Sequence, residues 1–254
     1  MEPLAGISMF AVGLAIGSFL NVCIHRVPRG ESIVSPPSHC PACGQPIRWY
    51  DNLPIVGYVM LRGRCRVCRE PFSVAYPAVE LATGALFALH VWWYGWQPLL
   101  GVRLLLACVM VVLFVVDLRH RILPNVITLP GIAIGFACAL VWPPGWLSSI
   151  AGILLGGGVL FGIGELYYRL RREEGLGMGD VKMLAMIGAF LGWQQTLVTL
   201  VLSSFLGSLI GLGLIASGRG TMKYALPFGS FLAIGAIASG LVGDAVLGWY
   251  LGFY

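Results

Sequence analysis

Apolar residues fall in long runs along this chain, and the polar positions are gathered into short intervals between them. The first run, Leu4–Ile24, has the roughly 20 residues that a membrane-crossing helix needs. No Lys or Arg precedes it, while Arg26 and Arg29 follow. A cleaved signal begins with a basic region, so this run reads as a retained anchor. Residues 25–73 are polar and rich in proline, and carry Arg26, Arg29, Arg48, Arg62, Arg64, Arg66 and Arg69. Apolar runs resume at Val74–Tyr94, Leu99–Val116, Val126–Val141, Ser148–Tyr168, Val181–Leu191, Thr196–Ala216 and Leu226–Tyr250. The pattern predicts an all-α polytopic membrane protein of about eight transmembrane helices. A small loop domain is expected between the first two. The expected organisation is a first helix over 1–24, a cytoplasmic domain over 25–73 and a seven-helix core over 74–254. Val181–Leu191 is short for a full crossing, which predicts a broken or tilted helix.

Composition agrees with that pattern. Of 254 residues, 58% are hydrophobic and 11% charged, against about 25% charged in soluble domains. Mean hydropathy is +0.86. A soluble enzyme is excluded, and the bilayer is an expected partner. The net charge of +5 matters less than its placement, because Lys and Arg near span ends set orientation. With the N-terminus outside, loops 25–73, 117–125, 169–180 and 217–225 face the cytoplasm. Of the 16 Lys and Arg residues, all but Arg103 lie in those loops or within two positions of them. The other loops hold Trp92, Trp93, Trp96, Trp142, Trp146 and Trp193, as an interfacial belt would. No nucleic-acid partner is expected. Gly13/Gly17, Gly131/Gly135, Gly152/Gly156, Gly158/Gly162 and Gly207/Gly211 are spaced for close helix contacts. Asn21, polar within the first run, is expected to form an interhelix hydrogen bond.

The polar interval carries Cys40-Pro41-Ala42-Cys43 and Cys65-Arg66-Val67-Cys68. Two such pairs at this separation match a four-cysteine zinc site. A closed thiolate shell gives structure rather than chemistry, and a metal would supply folding energy that a small segment lacks. Gly44 suits the tight turn. Two disulfides are the alternative, and a cytosolic loop argues against them. Cys23, Cys108 and Cys138, in apolar runs, are expected to pack.

Five acidic residues lie in or at the ends of apolar runs: Glu80, Asp117, Glu165, Asp180 and Asp244. Charges at such depth default to functional candidates. Glu80 is expected to make an interhelix hydrogen bond, and no motif surrounds Glu165 or Asp244. Asp180 stands in Gly175-Leu176-Gly177-Met178-Gly179-Asp180, after the charged tract Arg171–Glu174. Glycine lets other backbone come close, so a peptide could be drawn down beside the carboxylate. The plainer reading makes Asp180 a helix N-cap. Asp117 ends the third run, where an ion pair with Arg121 is the plain reading. The topology sets both aspartates at one membrane face. Two carboxylates brought close share a proton, so that one acts as acid and the other as base.

Taken in order, these residues resemble the type IV prepilin leader peptidases. Gly177-Met178-Gly179-Asp180 is similar to the family's G-x-G-D motif, and Asp117 with Leu123-Pro124-Asn125 resembles its first catalytic aspartate. Gly17–Val22 with Arg26 and Pro28, the cysteine pairs, Tyr76-Pro77 with Glu80, and Pro227–Leu232 extend the likeness across nearly the whole chain. Asn125 departs from an acidic residue common in the family. The resemblance implies an aspartic endopeptidase of the bacterial inner membrane, with Asp117 and Asp180 catalytic and Gly177 and Gly179 admitting substrate. Cys40, Cys43, Cys65 and Cys68 would hold structural zinc. Prepilins or pseudopilins of type IV pilus and type II secretion systems would lose a leader after a glycine at the cytoplasmic face. S-adenosylmethionine would then methylate the new N-terminus, and no residue is assigned to that step. A membrane transporter with a zinc-stabilised gate is the alternative from another class, and a structural anchor of a secretion apparatus is a third.

Overall fold

The first apolar run forms α1, Pro3–Arg26, and ends where Pro28 enters a 3-10 turn closed by Gly30 at φ 68°. Glycines 13 and 17, one turn apart, open a groove on one face of α1. Helix α3, Ala75–Tyr94, lies in that groove. A Cβ on Gly13 would stand 2.7 Å from Gly84 Cα, and one on Gly17 2.7 Å from Glu80 Cα. Asn21 Nδ2 donates to the Tyr76 carbonyl at 3.0 Å, the interhelix bond expected of it. Between α1 and α3 the polar interval forms turns, isolated bridges and one short helix, α2, Val56–Met60.

The computed structural model describes residues 3–172, 177–218 and 226–252. Glu173, Glu174, Gly175 and Leu176 of the charged and glycine-rich tract lie outside the described residues, as do Arg219 and Lys223. The chain forms two units, Met1–Val112 and Leu113–Tyr254. The first contains α1, α2, α3 and the start of α4, Pro98–His120. The second takes the end of α4 with α5, Asn125–Ala139, α6, Trp146–Arg171, α7, Met178–Ala216, and α8, Phe228–Leu251. Among the described residues the regular structure is helical throughout. Helices α1, α4, α6, α7 and α8 are long and apolar enough to cross a membrane, and α5 is a shorter apolar helix. The protein is a multi-pass helical membrane protein.

The short run that the sequence marks as irregular is the centre of the second unit. Helix α7 is broken at Gly192, whose φ of 80° and ψ of 172° are non-helical. Its first part is buried almost all round, from Val181 and then Met183 through Gly192. A helix hydrophobic on every side belongs inside, and α5, α6 and α8 pack against α7. Close approach needs glycine: a Cβ on Gly156 would meet the Leu184 carbonyl oxygen at 2.6 Å. Ser149 adds a hydrogen bond to the Ala189 carbonyl at 2.8 Å. Gly131 and Gly135 of α5 face Met186 and Phe190. A Cβ on Gly207 or Gly211 would stand 3.3 Å from Phe231 and 3.2 Å from Leu226 respectively, but one on Gly158 or Gly162 would meet nothing within 4 Å among the described residues. That last pair has the right spacing, but the face it lies on has no neighbour among the described residues.

Candidate active site

Asp117 lies three residues before the end of α4 and is 5% exposed. A carboxylate near a helix C-terminus meets the negative end of that helix's dipole. The start of α8 supplies the compensation. Ser230 donates its backbone N–H to Asp117 Oδ2 at 2.7 Å and its hydroxyl to the same oxygen at 3.0 Å. That N–H belongs to the first turn of α8, where backbone donors lack intrahelical partners and attract anions. Gly229 makes the approach possible: a Cβ there would stand 3.0 Å from Asp117 Oδ2 and 2.9 Å from Leu123 Cδ1. Asp117 also lies within the field of Arg121.

Asp180 is the third residue of α7, and Gly177 is its N-cap. The capping role read from sequence therefore falls to Gly177, not Asp180. The carboxylate bends back toward the helix start, with Oδ2 3.4 Å from where a Gly177 Cβ would be. The N-terminal end of the dipole favours a negative charge there. Gly179 abuts Leu123, whose Cβ would be 3.0 Å from a Cβ added to that glycine. Leu123 thus touches both glycines, Gly179 beside one aspartate and Gly229 beside the other. Lys182 Nζ donates to Asn125 Oδ1 at 2.9 Å, tying the start of α5 to the start of α7. An acidic residue at 125 would turn this bond into an ion pair. The two aspartates are near enough for the charge of Asp117 to act on Asp180.

The other acidic candidates have structural partners. Glu165 pairs with Arg169 at 2.7 Å across one turn of α6, and Asp244 accepts Gln195 Nε2. Glu80 makes the interhelix hydrogen bond expected of it, with the Ser18 hydroxyl of α1. Its Oε2 also takes the Ile55 N–H, at 2.8 Å, from the polar interval.

The four cysteines sit on two turns built alike. In the first, Cys40 N–H bonds to Gln45 O, Gly44 N–H to Cys40 O and Ile47 N–H to Ser38 O. In the second, Cys65 N–H bonds to Glu70 O, Arg69 N–H to Cys65 O and Phe72 N–H to Gly63 O. Gly44 at φ 70° and Arg69 at φ 61° occupy the same left-handed position. The repeat S-H-C-P-A-C-G-Q-P-I against G-R-C-R-V-C-R-E-P-F is legible in the sequence and was missed by counting cysteines alone. All four sulfurs lie within 4.8 Å of one another, and Cys40 Sγ is 3.7 Å from Cys68 Sγ. A tetrahedral four-sulfur zinc site, with bonds of about 2.3 Å, needs sulfurs about 3.8 Å apart. The set can hold a metal ion. The backbone N–H groups of Cys68 and Val67 pull the Cys65 thiol down to about 7. Asp51 braces the second turn through Arg66 Nε at 2.8 Å, and that hydrogen bond holds its carboxyl below the usual range.

Fold and site together define a polytopic helical membrane protein with two acidic side chains at a junction of helix ends and a four-thiol cluster. The model of the bacterial peptidase A24 N-terminal domain matches residues 11–94, and that of the type IV leader peptidase family matches residues 104–212. The chain belongs to the type IV leader peptidase family. It is 42% identical to the prepilin leader peptidase/N-methyltransferase of Myxococcus xanthus, over 85% of this chain and 65% of that protein. It is 35% identical to the Pseudomonas putida protein of the same name, over 97% and 94%. For the Aeromonas hydrophila counterpart the identity is 37%, over 96% and 92%. No solved structure matches the chain.

Proposed function

We propose that this chain is a prepilin leader peptidase and N-methyltransferase in which Asp117 and Asp180 are the catalytic pair. The observation that carries the pairing is the junction itself: α4 ends, and α7 and α8 begin, around Leu123, with both carboxylates beside it. One carboxylate takes a proton from water while the other, protonated, polarises the scissile carbonyl. Water is the nucleophile, and no covalent intermediate forms. Ser230 keeps Oδ2 of Asp117 occupied and so orients its carboxylate. Gly177 leaves room for an extended substrate backbone beside Asp180, while Gly179 lets Leu123 close against the start of α7.

Prepilins or pseudopilins are the substrates, cut after the leader at the cytoplasmic face of the bacterial inner membrane. The N-terminus is periplasmic, and α7 supplies two of eight crossings, joined at Gly192. The loop domain over 25–73 holds zinc in a structural site of Cys40, Cys43, Cys65 and Cys68. S-adenosylmethionine supplies the methyl group for the new N-terminus. The names of the relatives support both activities and lend nothing to the transporter reading. Replacing Asp117 or Asp180 by Asn, and following prepilin cleavage in membranes, tests the pair. Each variant is expected to abolish cleavage; normal processing by either one rejects the assignment.

A further inference from the structure

The first unit contains a cavity of about 350 Å³ lined in part by Arg26, Asp51, Tyr58, Phe72, Tyr76 and Glu80. That size is within the range of small-molecule sites. Two of its charged groups are deeply buried: Glu80 is 8% exposed and Arg26 7%. Neither is in an ion pair among the described residues. Glu80 is held by two neutral groups, the Ile55 N–H and the Ser18 hydroxyl, and Arg26 donates to the Ser32 and Pro36 carbonyls at 2.8 and 2.6 Å. Asp51, by contrast, is already bound by Arg66. Buried charges are costly unless paired. The cavity therefore offers a carboxylate to a cation, a guanidinium to an anion, and aromatic faces to a flat ring. Ile55, which anchors Glu80, holds φ 60° and ψ −50°, a rare conformation for a β-branched residue. The wall that carries Glu80's partner is thus held in place against its own backbone preference.

We infer that this cavity binds the methyl donor, a sulfonium nucleoside. The inference rests on the methyltransferase reading above and assigns it residues. Glu80 would face the sulfonium, Arg26 the donor's α-carboxylate, and the aromatic side chains the adenine. In the transfer, the lone pair of the pilin's N-terminal amine attacks the methyl carbon. The C–S bond breaks, its electron pair stays on sulfur, and S-adenosylhomocysteine leaves as a neutral thioether. The N-terminal ammonium gives up one proton before the attack, to Glu80 or to water, which frees that lone pair. The positive charge thus moves from sulfur to nitrogen beside one carboxylate.

Calorimetric titration of the full-length protein in nanodiscs tests this, with S-adenosylmethionine and S-adenosylhomocysteine as probes. Glu80→Gln is expected to weaken the sulfonium donor at least tenfold and the uncharged thioether much less. A residue that only supports the fold would weaken both alike. Tyr58→Leu, which leaves the charges in place, is expected to weaken both probes. Melting temperature and bound zinc report whether each variant is folded, and Tyr58→Leu carries the test if Glu80→Gln is not. Wild-type affinity for the donor in both folded variants, or equal weakening of both probes by Glu80→Gln, overturns the site. A wild-type protein that neither binds the donor nor methylates a mature pilin peptide overturns the methyltransferase reading itself. Methylation by wild type with unaltered binding in the variants rejects this cavity alone.

Discussion

Ser230 is the residue that sequence reading passed over and the structure brings to the site. It was legible only as part of Pro227–Leu232, a likeness without a role, because its partner Asp117 is more than a hundred positions away. Its hydroxyl bond is worth about 1 kcal/mol, and its N–H survives substitution. Ser230→Ala is accordingly expected to lower kcat for leader cleavage roughly fivefold with KM little changed. An unaltered kcat would mean the hydroxyl does not position Asp117. Arg69 gives a prediction of opposite sign. It holds the left-handed turn position that Gly44 fills in the sister turn, where a side chain costs roughly 1–2 kcal/mol. Arg69→Gly relieves that strain, partly offset by the freer unfolded chain, and is expected to raise the melting temperature slightly. A lower melting temperature would show that the Arg69 side chain contributes more than its strain costs.

At the scale of elements, the short run Val181–Leu191 was marked by its length, and its place was not. Its apolar residues lie on every side, which says that it is buried but not by what. The glycines and serine of α6 and the glycines of α5 decide that. Asp180 is positioned because the helix behind it is enclosed. The paired cysteine turns are the other well-defined element. Their hydrogen bonds form within each turn, so the four thiols are brought together by two local structures. Thiolates bind metal only after losing their protons. Bound zinc, measured by atomic absorption on purified protein, is expected to be retained at neutral pH and lost on acidification or with a strong chelator. Loss should lower the melting temperature; an unchanged one would deny the metal a structural role. The Asp51–Arg66 pair adds a small term of the same sign. Its stabilisation is full above the ordinary aspartate pKa of about 3.9 and fades as pH falls through the lower folded value.

For the whole molecule, the distribution of Lys and Arg predicts the orientation. Reporter fusions are expected to place the N-terminus and the Trp92–Trp96 loop in the periplasm, and the loops at 25–73 and 117–125 in the cytoplasm. A periplasmic cysteine loop would overturn that orientation and the case against disulfides with it. The sequence by itself determined the membrane class, the helical runs, the metal-ligand spacing and, through ordered motifs, the family. Those follow from local composition and from spacings along the chain. The tertiary structure alone decided that Leu123 meets Gly179 and Gly229, that Ser230 holds Asp117, and that Glu80 and Arg26 line one cavity with no ion-pair partner among the described residues. Such contacts join positions far apart in sequence, and hydropathy describes each position's solvent without naming its neighbour.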